Sequence, residues 1–174
     1  MTDAPDPIDT IAELLAHALE LEHESAARYE QLADSMEVHH NRLTAEQFRH
    51  LASLSEAHAR AVEQRAAAIE LPCIPPWEYK WSCPGSPETE CLEHEPHYLM
   101  TRVEALRLAL HNERRAYEFY VHVAAAAGRP EVRALAAEMA NEEADHLAML
   151  EGWLTDAEDH LPRPHDLDPP NVPS

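Results

Sequence analysis

Glu143-Ala144-Asp145-His146 is the stretch on which the reading of this chain turns. It sets a carboxylate and an imidazole three residues apart, which places both on one face of a helix. That face is otherwise apolar, with Val132, Leu135, Met139, Leu150 and Trp153 recurring around the pair at helical spacing. A carboxylate inside an apolar stripe is costly unless its charge is compensated. A cation held by several converging carboxylates is an economical compensation, because bare carboxylates repel one another and drive their pKa values upward.

The same pattern extends outward. Leu99, Val103, Leu106, Leu110, Tyr117, Tyr120 and Ala124 form the stripe of a preceding helix, and Glu113 sits within it. Gly128-Arg129-Pro130 separates the two helices, with glycine just past one and proline just inside the next. Further upstream, Ile8, Ile11, Leu15, Ala18, Leu19, Ala26, Tyr29, Leu32, Ala33 and Met36 mark a first helix that carries Glu22. Asp6-Pro7 is its expected start and the polar run from Val38 to Asn41 its end. Phe48, Leu51, Ser55, His58, Val62, Ala66 and Ile69 mark a second helix, which the capping-box pattern Thr44–Gln47 opens and Pro72 stops. The expectation is an all-α four-helix bundle over 1–161, with helices at about 7–38, 44–71, 96–127 and 130–158 and a proline-rich tail at 162–174.

Residues 72–95 contain Pro72, Pro75, Pro76, Pro84 and Pro87. An up-down bundle needs only roughly 2–8 residues between helices. Helices of about 30 residues run roughly 45 Å at 1.5 Å per residue. A connection of this length is therefore expected to cross the whole bundle and leave the second and third helices parallel. Trp77, Tyr79 and Trp81 within it are expected to pack on the bundle.

The two halves repeat each other. Glu22 and Tyr29 align with Glu113 and Tyr120 at an offset of 91, while Leu51, Ala52 and His58 align with Met139, Ala140 and His146 at an offset of 88. The difference of three is a shorter turn in the second hairpin. All four helices thus bring a polar group to an apolar stripe, and the repeat favours metal ligation over a surface ion network or a satisfied core histidine.

Composition narrows the function classes. The chain has 174 residues with 45% hydrophobic residues, enough for a buried core in a single domain. Its formal net charge of −20, with the 13 Lys and Arg scattered, argues against nucleic acid or an anionic membrane as partner and favours cations. No stretch is apolar enough to span a bilayer, and Met1–Thr10 lacks the features of a signal peptide. Cys73, Cys83 and Cys91 lack a close pairing, which fits a reducing compartment, so a cytoplasmic location is expected. With His94 and His97 these cysteines match no familiar zinc spacing.

Glu113-Arg114-Arg115-Ala116-Tyr117-Glu118-Phe119-Tyr120, followed by Glu143-Ala144-Asp145-His146, resembles the rubrerythrin branch of the ferritin-like superfamily. Glu22-His23-Glu24-Ser25-Ala26-Ala27-Arg28-Tyr29 is similar to that family's first-helix segment. The resemblance covers about residues 8–155 and implies a ferritin-like bundle with a di-iron centre. Carried across, it implies Glu22 and Glu113 as terminal ligands, Glu143 as a bridging carboxylate, and His58 and His146 as the imidazoles. Tyr29, Tyr120 and Ser55 would stand behind them. It also implies ferroxidase or peroxide- or dioxygen-reducing activity and a homodimer. Manganese or zinc would suit the same donors.

Two departures stand out. The position three before His58 is Ser55 and not glutamate, so the second helix lacks its bridging carboxylate. Glu56 is adjacent but about 100° around the helix, and would serve only through a local bulge; otherwise the expectation is one iron held firmly near Glu113, Glu143 and His146 and a second held weakly or not at all. Paired Cys-x-x-Cys motifs of the rubredoxin type are absent, so a redox cycle would require an external electron donor. Ser55 also leaves open a non-enzymatic alternative: a metal-storage or delivery protein, or an interaction bundle with a partly degenerate site.

Overall fold

The structure, a computed structural model, describes residues 7–81 and 100–160. Helix α1 spans Ile11–Val38, α2 Arg42–Ala66, α3 Arg102–Ala126 and α4 Pro130–Asp159, and one 3₁₀ turn, Pro76–Glu78, lies between α2 and α3. No strand occurs among the described residues.

Two apolar cores show how the helices run. The first joins Leu14, Leu15, Ala18 and Leu21 of α1 to Val62 and Ala66 of α2, Phe119, Tyr120 and Val123 of α3, and Val132 and Ala136 of α4. The second joins Tyr29, Leu32 and Met36 of α1 to Phe48 and Leu51 of α2, Val103 and Leu106 of α3, and Leu150 and Ala157 of α4. Both α2 and α3 therefore run from the second core towards the first, so they are parallel. Leu71, Tyr79 and Trp81 pack with the first core and Met100 with the second, so the connection passes from one end to the other. Burial of each leucine or phenylalanine contributes about 1.5–3 kcal/mol, and the two cores flank a polar layer between them.

Helix ends differ from expectation in instructive ways. Helix α1 starts at Ile11 because Thr10 caps it, its hydroxyl accepting from the Glu13 N–H at 3.1 Å. Pro7 precedes the helix, and Asp6 lies outside the described residues. Its C-terminus closes through His40, whose φ of 60° is left-handed. The His40 N–H donates to the Glu37 carbonyl at 2.9 Å and the Asn41 N–H to the Met36 carbonyl at 2.8 Å, a Schellman pair. Thr44 does not cap α2: the helix already begins at Arg42, and Thr44 is buried inside it. The capping box belongs to α3, where Thr101 and Glu104 exchange hydrogen bonds of 3.3 and 2.8 Å. Helix α2 also stops at Ala66, ahead of the expected 71, as the chain loosens into turns before Leu71-Pro72, where proline disfavours a helical neighbour. The expected start near Pro96, Cys83, Cys91 and the tail 162–174 lie outside the described residues.

Gly128 is required for close approach and not for a left-handed turn. The Asp9 carboxylate accepts from the Gly128 N–H at 2.7 Å and the Arg129 N–H at 3.0 Å, and a Cβ at Gly128 would meet Asp9 Oδ1 at 3.1 Å. This contact ties the start of α1 to the α3–α4 turn and sets an anionic group at the N-terminus of α4.

A buried histidine fastens the connection to the bundle. His17 is fully buried, with Nδ1 2.8 Å from the Glu13 carbonyl and Nε2 accepting the Lys80 N–H at 3.0 Å. These partners require a neutral ring with its proton on Nδ1. Tyr79 and Trp81 pack edge-on against it at 4.9 and 5.1 Å. Lys80 Nζ adds an ion pair to Glu13 at 2.6 Å. Trp77, by contrast, is 82% exposed and does not pack on the bundle as expected, because the 3₁₀ turn points it outward.

Burial holds His17 below 6.5, against the raising effects of Glu13. Protonation therefore favours the unfolded chain, so the stability contributed by neutral His17 is complete above pH 6.5 and is lost as pH falls from 6.5 through the lower folded-state value. His17→Leu should cost about 1–3 kcal/mol in urea denaturation at neutral pH, since the Lys80 N–H loses its acceptor. The same variant should lose less stability than the parent on acidification below pH 6.5.

Candidate metal centre

Between the two apolar cores lies a layer of buried polar side chains: Glu22 and Ser25 from α1, Ser55 from α2, Asn112 and Glu113 from α3, and Glu143 and His146 from α4. His58 of α2 lies beside them, partly open to solvent. Each sits one helical turn or less from core-facing apolar neighbours, so the packing of the two cores delivers all of them to the same level. The repeat seen in the sequence is therefore a repeat in space.

The tightest grouping is Glu113, Glu143 and His146, which offer one donor atom each within 4.8 Å of one another. His146 Nδ1 stands 3.4 Å from Glu113 Oε2 and 3.4 Å from Glu143 Oε2, the latter a consequence of their three-residue spacing. A parallel but more open pair lies on the other hairpin, with His58 Nδ1 3.4 Å from Glu22 Oε1. The His58 and His146 rings stack at 5.1 Å and 8°. The structure thus brings Glu22, His58, Glu113, Glu143 and His146 into one layer. Glu56 is not among them: its side chain is exposed and lies 3.8 Å from Arg60 on the outside of α2. Regular helix from Arg42 to Ala66, without a bulge, leaves it there.

Tyr29 donates a hydrogen bond to Glu113 Oε1, reaching across from α1 to α3. Tyr120 is equally buried but is pushed well above 10 by burial and then by the charges of Glu22 and Glu143, so it remains a phenol. Ser25 and Asn112 were not anticipated from the pattern of glutamates and histidines. Asn112 was nevertheless visible in the repeat, since at the offset of 91 it falls on Leu21, an apolar position.

Burial and neighbouring charges shift the titration of the cluster. Burial, and then the neighbouring Glu113, push Glu143 well above the usual carboxylate range. Burial also acts to raise Glu113, yet the proximity of His146 and Glu143 and the hydrogen bond from Tyr29 outweigh it and hold Glu113 below its ordinary value. For His146, burial opposes the charged ring, but Glu113 and Glu143 prevail and raise it to about 11. Glu22 is raised by burial, with His58 opposing, and His58 is raised by Glu22.

The donor set fits a transition metal. His58 Nδ1 and His146 Nδ1 are buried atoms that complete no hydrogen bond, although carboxylate oxygens stand 3.4 Å away. Buried imidazole nitrogens without partners are uncommon, and here they point to a missing third participant. Mixed carboxylate and imidazole donors suit iron, manganese or zinc.

Because a cation must displace protons from His146 and Glu143, binding is linked to pH. Calorimetric titration of metal-free protein with Co(II) near neutral pH should show proton release, seen as a heat that varies with the ionisation enthalpy of the buffer. Affinity should rise from about pH 6 to about pH 8. A buffer-independent heat would mean that the protonated cluster is not where the metal goes.

Comparison with known proteins agrees with this geometry. A family model described as Rubrerythrin matches residues 13–154. The crystal structure of an uncharacterized conserved protein from Magnetospirillum magnetotacticum is 44% identical; the match covers 89% of this chain and 97% of that one, with a TM-score of 0.71. No curated protein gives a significant match.

Proposed function

Since the chain belongs to the rubrerythrin family, we propose that it binds iron in its polar layer and works as an oxidoreductase, oxidising Fe(II) or reducing peroxide or dioxygen. The observation that carries this reading is the convergence of Glu113, Glu143 and His146 around an unsatisfied buried imidazole nitrogen. Glu22 and His58 would complete the donor set from the other hairpin. Iron would supply the electron chemistry.

The chain's own residues prepare the site for it. Glu113 and Glu143 would neutralise the charge of the cation, and His146 would give up its proton to become a donor. Tyr29 fixes the orientation of Glu113 from α1. The two cores flank the layer on both sides, and His58 is its member most open to solvent. No redox-active cysteine pair is present in the sequence, so electrons would come from a separate donor. We also infer a homodimer, the commonest closed assembly, located in the cytoplasm. Light scattering at micromolar protein should return twice the chain mass, and a monomer there would remove the dimer.

A storage or delivery role without catalysis is the second reading, and Ser55, where the repeat loses a carboxylate, favours it. Metal analysis of anaerobically purified protein, followed by oxygen or peroxide addition under an ultraviolet-visible spectrum, separates the two. Bound iron that changes its spectrum and consumes the oxidant supports the enzyme, and bound iron that stays inert supports storage. Predominant manganese or zinc would replace the iron assignment.

Glu143→Ala should weaken metal binding by more than about a hundredfold, beyond the 10–100-fold usual for supporting residues. Glu56→Ala should change it little, because Glu56 faces Arg60 outside the layer. Unaltered metal content in Glu143→Ala would exclude the site.

A further inference from the structure

Superposing the two halves at the offset of 88 places His58 on His146 and Ser55 on Glu143. Helix α4 therefore presents a carboxylate and an imidazole to the layer, whereas α2 presents a hydroxymethyl group and an imidazole. Ser55 is 1% exposed, and its Oγ has no hydrogen-bond partner. Buried hydroxyls are normally satisfied. The Ser55 side chain lies on the same helical face as His58, whose Nδ1 also completes no hydrogen bond and whose ring stacks on His146 at 5.1 Å. Glu56 cannot compensate, being exposed and paired with Arg60.

Charge points the same way. Glu22, Glu113 and Glu143 bring three negative charges to the layer, while two divalent cations would bring four positive ones. One monovalent anion would restore balance. The length by which glutamate exceeds serine is a methylene and a carboxylate, so the anion that fits carries a single three-atom O–C–O group and little else.

We propose that Ser55 marks a subsite for a small carboxylate-type anion, bicarbonate or a one- or two-carbon monocarboxylate, which takes the place of the carboxylate that α2 lacks when metal is bound. The Ser55 hydroxyl donates to it, and it strengthens binding of the second, weaker metal. This inference rests on the metal-binding reading above. It makes the second half of the layer a regulated position, filled or empty according to the anion available.

The experiment titrates metal-free protein with Fe(II) or Co(II), anaerobically, in bicarbonate-free buffer and then with added bicarbonate, formate or acetate. The readouts are metals bound per chain and their affinity. In the parent protein the anion should raise affinity for the weaker metal by about ten- to hundredfold, the scale on which supporting groups act. The arm that responds identifies the anion as bicarbonate or a monocarboxylate. In Ser55→Glu the second metal should bind tightly without any anion. Ser55→Val adds no charge to the layer, and it should leave the first metal in place and abolish the anion effect. Metal affinity that ignores all three anions, or an anion effect that survives in both variants, overturns the subsite while leaving metal binding intact. Failure to bind metal under every condition overturns both readings together.

Discussion

The buried contact of His146 with Glu113 and Glu143 is the constraint around which this bundle is arranged. Two carboxylates and an imidazole removed from water cannot all hold their usual charges. Burial and Glu113 push Glu143 well above the usual carboxylate range, while its neighbours hold Glu113 below it. The surroundings accommodate this: a tyrosine from the other hairpin supports the ionised glutamate, and apolar cores above and below supply the burial energy that a polar layer cannot. A bundle selected for stability alone would have no reason to carry such a layer, since well-packed apolar residues of similar volume are often neutral or stabilising in place of buried ions.

The path of the chain follows from the same arrangement. Donors from two similar hairpins can meet at one level only if each hairpin presents its polar face inward at the same height. Parallel α2 and α3 meet that requirement, and they oblige the chain to travel the length of the molecule between them. His17, Tyr79 and Trp81 hold the described part of that journey against α1 and α3. Neutral His17 here and charged His146 in the layer show one residue type put to opposite uses. The difference lies in the partners, a carbonyl and an N–H for one and two carboxylates for the other.

Much of this was legible in the residues. Glutamate and histidine interrupting apolar stripes, and their recurrence at offsets of 91 and 88, located the layer and five of its members on four helices. The long proline-rich connection gave the topology. Less legible were features set by tertiary contacts. Thr44 carries a capping signature but is buried within α2, while the working capping box lies at Thr101–Glu104. His17 looked like any histidine, because its acceptor role depends on Lys80, 63 residues away. Trp77, Tyr79 and Trp81 are alternate positions of one short segment, and only the 3₁₀ turn decides which of them face the bundle. Asn112 was hidden by its neighbour Glu113, although comparison with Leu21 exposes it.

The turn of α1 into α2 and that of α3 into α4 join helices that are neighbours in sequence, whereas the contacts of Tyr29 with Glu113 and of His58 with His146 span about half of the chain. Local contacts form fast, and distant ones wait on loop closure. The two hairpins are accordingly the natural early units of folding, and their docking is the late event. Until they dock, the carboxylates of each hairpin still face water. The polar layer is thus created by the act of assembly, and the protons or cations it contains are taken up when the last solvent leaves between two preformed halves.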